Sequence, residues 1–270
     1  MLVTMNQEAM DRYGLMRSGV LLEQSTQRVD LENLINRLRP IKTNLKLIRI
    51  GGKADGGYIL PDDLAGISAC FSPGVSDVAH FENDLSQMYL IPSHLADYSV
   101  EGPPTYFKAK SFEKKYISAV TSHRTITLDK WVNMYEDSSD SFDLMLQMDI
   151  EGAEYEALLA CTENTLKRFR ILVIEFHNIE SYAHPNYFAI ISAVFDKLLS
   201  SFSPIHLHPN NCCGVVNING VELPRVFEMT FLRKDRLIPM GFRSDFPHAL
   251  DEPNIQTRPD LCIPHSWCWR

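Results

Sequence analysis

The sequence predicts an α/β fold in which an N-terminal helical extension precedes a mostly parallel β-sheet with an antiparallel edge. Three observations favour this class. Short apolar runs alternate with segments of helical periodicity through most of the chain. The last two apolar runs, 205–208 and 226–232, are joined without a helical segment, which is typical of antiparallel neighbours. Two earlier runs, 142–148 and 170–174, end in charged residues, as strands do when a ligand binds beyond their carboxyl ends.

The composition is that of an ordinary globular protein, with 270 residues of which 45% are hydrophobic and 22% are charged. We expect one α/β domain over 41–238, preceded by the helical extension at 1–40 and followed by a tail, 239–270, that packs on the domain. A net charge of −8 without a long Lys/Arg run argues against a nucleic-acid partner.

Targeting and cysteine patterns exclude several other classes. Residues 1–12 lack the apolar core of a signal peptide, and no apolar run approaches the roughly 18 residues that a membrane span needs. The sequence therefore predicts a cytoplasmic protein without a membrane span. Six cysteines without a CxxC pair indicate neither a disulfide framework nor a zinc site.

The extension contains one clear helix, predicted to begin after Asp30 as its N-cap and to end before Pro40. Its apolar residues recur at helical spacing, namely Leu31, Leu34, Ile35 and Leu38. Because this face needs a partner, we expect the extension to close over the domain or to form an association surface, which leaves a homo-oligomer open.

The first half of the domain has the strand, loop and helix order of a nucleotide-type cofactor site. Strands are predicted at 45–50, 67–71 and 90–96, with weaker candidates at 106–109 and 119–128. A helix starting near Asp77 places four apolar residues on one face, Val78, Phe81, Leu85 and Met88. In the second half, a strong helix is predicted from Tyr187, Ile191, Val194, Phe195 and Leu198.

The glycines in this half do not form a phosphate-binding loop. The run 51–57 contains neither G-x-x-x-x-G-K-[ST] nor G-x-G-x-x-G. The loop after the strand 67–71 has one glycine, Gly74, and Asp97 at the tip of the next strand can accept hydrogen bonds from both hydroxyls of a ribose. A nucleoside cofactor without phosphate therefore fits better than NAD, with Glu82 as a cofactor contact or a solvated residue.

Two neighbouring strands end in acids and an imidazole. Asp149 and Glu151 follow the first strand, and Glu175 and His177 follow the second. Because the carboxyl ends of parallel strands meet at one edge of a sheet, we expect these side chains in one crevice. The alternative is that Asp149 or Glu151 only caps the next helix. A helix cap would not call for the histidine after an independent strand, which favours the crevice.

Several motifs together are more specific than any one of them. In chain order they are Asp55-Gly56-Gly57-Tyr58, Phe71-Ser72-Pro73-Gly74-Val75-Ser76-Asp77, Phe81-Glu82, Ile126-Thr127-Leu128-Asp129-Lys130-Trp131, Asp149-Ile150-Glu151-Gly152-Ala153-Glu154, Ile174-Glu175-Phe176-His177, His208-Pro209-Asn210-Asn211-Cys212 and Glu228-Met229-Thr230-Phe231. Over roughly residues 45 to 235 the chain resembles the FkbM-type S-adenosylmethionine-dependent methyltransferases. It departs from them in the first loop, where Ser-Pro-Gly-Val-Ser replaces the common Asp-x-Gly-x-x-x-Gly pattern.

The resemblance implies a Rossmann-like, seven-stranded class I methyltransferase sheet with helices on both faces. It also implies S-adenosylmethionine as cofactor and transfer of a methyl group to an oxygen, often a sugar hydroxyl of a glycan. The expected cofactor contacts are Asp55, Tyr58, Ser72, Gly74, Glu82, Asp97, Tyr98 and Asp149. For a saccharide acceptor the candidate contacts are Glu151, His208, Asn210 and Asn211, the last three of which could instead only form a turn.

Methyl transfer to a hydroxyl needs a base or a metal, because the hydroxyl must lose its proton as it attacks. His177 is the natural base near neutral pH, with Glu175 and Asp149 as further catalytic candidates. The same three residues could instead hold Mg or Mn, which would lower the pKa of the hydroxyl. Two other functions remain open: a methyltransferase for a small non-sugar hydroxyl, and a non-catalytic nucleoside-binding scaffold of the same fold.

Overall fold

A computed structural model describes residues 14, 17–18, 23–136 and 142–267. Most of the predicted extension before residue 23, and the last three residues of the tail, therefore lie outside the described residues. The helices are α1 Arg28–Arg37, α2 His80–Tyr89, α3 Leu128–Tyr135, α4 Glu154–Ala160, α5 Glu163–Leu166 and α6 Pro185–Ser201. The strands are β1 Ile41–Thr43, β2 Leu47–Ile50, β3 Tyr58–Pro61, β4 Ile67–Pro73, β5 Ser93–Ala96, β6 Ser111–Glu113, β7 Tyr116–Ile117, β8 Thr125–Ile126, β9 Asp143–Met148, β10 Phe169–Phe176, β11 Phe202–Pro209, β12 Val215–Ile218, β13 Val221–Pro224, β14 Phe227–Arg233 and β15 Pro239–Phe242.

A seven-stranded sheet in the order β11-β14-β10-β9-β4-β5-β6 forms the centre of the fold. Its strands are parallel except β14, which runs antiparallel between β10 and β11. This arrangement confirms the predicted class, a Rossmann-like methyltransferase sheet closed by an antiparallel strand. β10 is buried along its whole length, because its successive side chains point to opposite faces of the sheet and each face is covered by a hydrophobic core.

Helices flank the sheet and cover both cores. On one face, Leu146 and Ile174 pack with apolar residues of α1, α3, α4 and α6. On the other, Met145 and Val173 pack with Phe81 and Leu85 of α2 and with residues of β2 and β3. The strong helical periodicity predicted for the second half forms α6, and the described residues contain no helix long and apolar enough to cross a membrane.

Helix α1 begins earlier than predicted. Gln27, not Asp30, precedes its first residue, and Asp30 lies in the first turn, where a negative charge is favourable near the helix N-terminus. The four apolar residues of its predicted face are 1–3% exposed and belong to the main core. The face thus finds its partner within the domain itself.

Two sequence predictions around α2 and β6 were wrong. The helix starts at His80 and not near Asp77, because the loop after β4 takes up residues 74–79. Val78 lies in that loop and is 44% exposed, and Met88, within the helix, is 57% exposed. The stretch 106–109 is not a strand, since Phe107 turns into a small cluster beside α2, and the edge strand is β6. Of the candidate 119–128, only β8 forms a strand.

The C-terminal segment crosses the carboxyl ends of the strands. β15 pairs with β1, and the chain then runs back along β11 and β14. Three side chains of this segment contact the strands. Asp251 forms a hydrogen bond with His206 at 2.8 Å, Asn254 donates one to Glu228, and Asp260 lies 3.3 Å from Nε2 of His208. We call residues 243–260 the C-terminal strap.

Candidate active site

Two adjoining cavities lie beyond the carboxyl ends of β4, β5 and β9. The larger has a volume of about 510 Å³ and the smaller about 310 Å³. Both are lined by Gly74, Ser76, Asp149 and Glu151, so the loops after β4 and β9 form the boundary between them. Of the four residues predicted to share a crevice, Asp149 and Glu151 line both cavities, whereas Glu175 and His177 line neither of them.

Gly74 permits the close approach of these two loops. A Cβ atom at this position would lie 1.5 Å from the carbonyl oxygen of Asp149, and the φ angle of +85° is one that L side chains rarely adopt. The loop after β9 has similar geometry, with φ of +57° at Glu151 and +106° at Gly152. Residues with positive φ angles therefore shape the backbone of both loops where they meet between the cavities.

Asp97 lies at the edge of the larger cavity. Its Oδ2 accepts the backbone N–H of Ser76 at 2.8 Å, and its Oδ1 accepts the N–H and hydroxyl of Ser99 at 2.7 and 2.6 Å. Since a carboxylate offers about four lone-pair positions, capacity for a ligand hydroxyl remains. The predicted contact Tyr98 does not line either cavity, and its ring instead packs 5.2 Å from that of Tyr116.

A buried polar chain closes the inner end of the smaller cavity. The Ser72 hydroxyl contacts Glu82 and lies 2.5 Å from Oε1 of Gln147, whose amide donates to the Tyr58 hydroxyl at 3.2 Å. Burial raises the pKa of Glu82 to about 7. Because Ser72 carries one hydrogen for two acceptors, a protonated Glu82 completes the chain. Glu82 is 3% exposed, so it is not the solvated residue of the alternative interpretation.

His177 is held by a carboxylate that the sequence reasoning overlooked. Its Nδ1 lies 3.0 Å from Oε1 of Glu154, whose side chain is fully buried and also accepts the N–H groups of Ile150 and Gly152. Its Nε2 points the other way, 3.7 Å from both Asp149 and Glu151. One buried acid thus positions both the imidazole and the loop that carries two of the predicted acids.

The electrostatics of this group favour a charged imidazole. Burial alone would lower the pKa of His177, but the Glu154 hydrogen bond and the charges of Asp149 and Glu151 outweigh it and raise this pKa. Burial raises the pKa of Asp149 to about 7, opposed by His177 and reinforced by Glu151. Asp149 therefore changes protonation near neutral pH, beside an imidazole whose pKa is raised.

The predicted metal ligands fall into two neighbouring groups. Asp149 and His177 approach Glu151 closely enough to share a cation, whereas Glu175 is grouped with Asp55 and Glu228. Burial, followed by the negative charges of Asp149 and Glu228, raises the pKa of Glu175 well above its usual range. Glu175 lies between the two groups, since its Oε1 is 3.9 Å from Nε2 of His177.

The three acceptor candidates after β11 point into the protein. Asn210 donates to Glu175 at 2.7 Å, and Asn211 donates to backbone carbonyls of the C-terminal strap. His208 lies 3.5 Å from Glu228 and 3.3 Å from Asp260. Asn210 and His208 therefore both reach the group of Asp55, Glu175 and Glu228, whereas Asn211 is held by the strap.

Comparison with known families assigns this architecture. A family model described as "Methyltransferase FkbM domain" matches residues 36–200, which is more than half of the chain. The chain belongs to the FkbM methyltransferase family. No curated protein matches the sequence. The residues that line both cavities lie within the FkbM match, whereas Glu228 and the C-terminal strap lie beyond it.

Sequence reasoning missed several residues that the structure places at or beside the candidate site. Glu154 belongs to a quoted motif, and its position three residues before an apolar pair on α4 resembles a simple helix-start acid. Gln147 ends an apolar strand, and Asn254 lies in a polar tail without periodicity. Of these three residues, only Gln147 could have been recognised from the sequence, because it is a polar residue within an apolar strand that ends at the predicted crevice.

Proposed function

We propose that this protein is an S-adenosylmethionine-dependent O-methyltransferase whose acceptor is a sugar hydroxyl of a glycan or glycoconjugate. One observation carries the proposal: an imidazole fixed by a buried acid on Nδ1 presents Nε2 to two carboxylates that line both cavities. This is the arrangement that a general base needs, because the fixed tautomer leaves the other nitrogen free to accept a proton.

The cavities fit the cofactor in size and polarity. In the larger one, Tyr116, Ile117 and Ile150 supply apolar walls beside Asp97, as a purine and a ribose require. In the smaller one, Asp55 and Asp149 supply carboxylates for a cationic amino-acid end. Of the expected contacts, Ser72 lies behind the cavity wall and Tyr98 outside it. When bound, S-adenosylmethionine would supply a methyl group on a positively charged sulfur.

His177 would act at the acceptor hydroxyl. Its Nε2 would accept the proton of the hydroxyl as the acceptor oxygen takes the methyl group, which S-adenosylmethionine would supply before it departs as the neutral thioether. Glu154 stabilises the imidazolium through Nδ1, and Asp149 and Glu151 stabilise it through Nε2. The proton then leaves to solvent past Glu151, whose side chain is 86% exposed.

A cation held by Asp149, Glu151 and His177 is the competing mechanism. Their ligand atoms lie within 4.8 Å of one another, which suits Mg or Mn. A metal on Nε2 would occupy the lone pair that the base needs, so the two mechanisms exclude each other at His177. Loss of turnover on chelation, with Asp149→Ala as damaging as His177→Ala, would favour the metal.

A sugar acceptor is supported by the oxygen-rich chemistry around the base. Carboxylates of Glu151 and Glu175 and the amide of Asn210 accept and donate hydrogen bonds, which matches a polyhydroxyl ligand better than a flat apolar phenol. His208 and Asn211 would contribute only by positioning the strap, because their polar atoms are engaged there.

The test is a calorimetric titration of the full chain with S-adenosylmethionine, followed by a methyl-transfer screen over deoxysugars, glycan ends and small phenols. We expect binding, and transfer to a sugar hydroxyl. Transfer to phenols alone would contradict the sugar acceptor. Binding without transfer to any acceptor class would favour the nucleoside-binding scaffold.

A further inference from the structure

A second acidic cluster lies beside the His177 group, and it includes Asp55 and Glu175, which the proposed function places near the cofactor and the acceptor. It consists of Asp55, Glu175 and Glu228, each offering one carboxylate oxygen within 4.8 Å of the others. Glu175 and Glu228 are 3% and 6% exposed, whereas Asp55 is exposed and lines the smaller cavity. The cluster is thus buried on two sides and open to the pocket on the third.

The negative charge of this cluster is poorly compensated. Among the described residues, no lysine or arginine forms an ion pair with any of its three acids. The nearest cationic groups are His208, 3.5 Å from Glu228, and His177, 3.9 Å from Glu175. Three carboxylates this close in a partly buried place repel one another strongly unless a cation or protons neutralise them.

An independent observation points to a ligand between these acids. Asn254 is 6% exposed, and its amide nitrogen donates to Glu228 at 2.5 Å and to Asp55 at 3.2 Å. Its Oδ1 is buried without a hydrogen-bond partner. A half-turn of the amide would place Oδ1 where the nitrogen lies, facing both acids, so that the amide would offer a fourth oxygen ligand beside the three carboxylates.

Glu175 also has a buried oxygen without a hydrogen-bond partner. Its Oε1 accepts the Asn210 amide at 2.7 Å, while its Oε2 is buried and has no hydrogen-bond partner. Buried polar atoms without partners are rare and each one calls for a physical reason. Here two of them, from Glu175 and Asn254, belong to side chains that meet at the same cluster.

We propose that Asp55, Glu175, Glu228 and Asn254 bind a divalent cation, Mg²⁺ or Mn²⁺. Carboxylate and amide oxygens without a thiolate or imidazole are the donor set that these hard cations prefer. Mg²⁺ and Mn²⁺ keep several exchangeable waters in protein sites, and the exposed side at Asp55 gives them room. A role in holding acceptor hydroxyls in place of those waters rests on the proposed function, whereas cation binding itself does not.

The experiment is a titration of the full chain with Mn²⁺, followed by electron paramagnetic resonance of free Mn²⁺, without cofactor or acceptor. We expect one site, at least tenfold weaker binding in Glu228→Gln, and retained binding in His177→Ala and Glu151→Gln, which leave all four proposed ligands in place. Loss of binding in His177→Ala with retention in Glu228→Gln would overturn the proposal in favour of that other group. No Mn²⁺ binding at millimolar concentration would overturn it outright.

A second variant, Asn254→Asp, tests the proposal independently if Glu228→Gln fails to fold. Asn254→Asp adds an anionic oxygen at the same place, so it should lower the melting temperature without metal and bind Mn²⁺ more tightly than the wild type. The melting-temperature increase on adding Mn²⁺ should therefore be larger in this variant. An equal or smaller increase would count against Asn254 as a ligand. Because none of these measurements involves methyl transfer, an inactive enzyme would leave their outcome unaffected.

Discussion

The carboxylate of Glu154 and the imidazole of His177 form a buried pair in which Oε1 lies 3.0 Å from Nδ1. The same oxygen accepts the N–H groups of Ile150 and Gly152, so it links the imidazole to the loop after β9. The pair therefore fixes which nitrogen of His177 faces Asp149 and Glu151, the two acids that line both cavities. Several consequences can be measured.

Replacing Glu154 by glutamine removes the negative charge but keeps an oxygen for the loop N–H groups. We expect the pKa of His177 to fall, because the charge that stabilises the imidazolium is lost. The rising limb of kcat/KM against pH should move to lower pH, and kcat should drop by about 10-fold or more as the tautomer is no longer fixed. Glu163→Gln, an exposed acid paired with Lys167, is the matched control. An unshifted pH profile would remove Glu154 from this role.

Replacing His177 by alanine should lower kcat by about 10² to 10⁴ while S-adenosylmethionine binding is retained. In the wild type only the neutral ring accepts a proton, so the rate should rise with pH through a pKa that lies above the usual histidine value. The variant should lose this limb of the profile. Wild-type kcat on the true acceptor would show that positioning alone supplies the rate.

Replacing Asp97 by alanine should weaken S-adenosylmethionine binding by about 1 to 3 kcal/mol, the range for a lost partner at a buried polar site. The fold should persist, although the N–H groups of Ser76 and Ser99 lose their acceptor. Ser99→Ala removes only a hydroxyl donor to Asp97 and should leave affinity nearly unchanged. Calorimetry checks both, and equal affinity in the wild type and Asp97→Ala would place the ribose elsewhere.

Replacing Gly74 by alanine should destabilise the protein by more than about 3 kcal/mol, since it combines a positive φ with steric overlap. The new Cβ would lie 1.5 Å from the Asp149 carbonyl oxygen, so the two loops must separate. Thermal unfolding and cofactor titration report the effect. Gly102→Ala, which has no heavy atom within 4 Å of the added Cβ, should change neither. A Gly74→Ala protein with wild-type stability would contradict the close loop contact.

The pairing of His208 predicts a pH dependence of stability. Burial alone would lower its pKa, but Glu228, Asp251 and Asp260 outweigh burial and raise it to about 9. Because the folded pKa lies above the ordinary value, this contribution is fully present below pH of about 6.5 and is lost as pH rises towards 9. Unfolding of wild type and His208→Gln should therefore differ most at low pH, on the order of 1 to 3 kcal/mol, and converge above pH 9. A constant difference across this range would contradict a charged His208.

Much of the site follows from sequence because a parallel sheet brings strand ends together. Asp149 and Glu175 follow adjacent strands, β9 and β10, so their proximity is a consequence of chain order and strand direction. The antiparallel pairing of β11 with β14 was likewise predictable, since no helix separates the runs that form these two strands. The antiparallel strand itself, β14, lies one position in from the edge of the sheet. The start of α2 could not be predicted from the sequence. Helical periodicity placed it near Asp77, but the loop that contains Gly74 extends to residue 79.

What the sequence by itself determined is the class of sheet, the order of its elements and the acids and imidazole at its edge. Tertiary structure alone decided that Glu154 turns inward to His177, that Tyr98 packs away from the cavities, and that Asn254 reaches Asp55 and Glu228. The physical reason is that periodicity and strand direction are local properties of the chain. Contacts between residues about 26 and 199 positions apart depend on how separate segments pack, which no local pattern encodes.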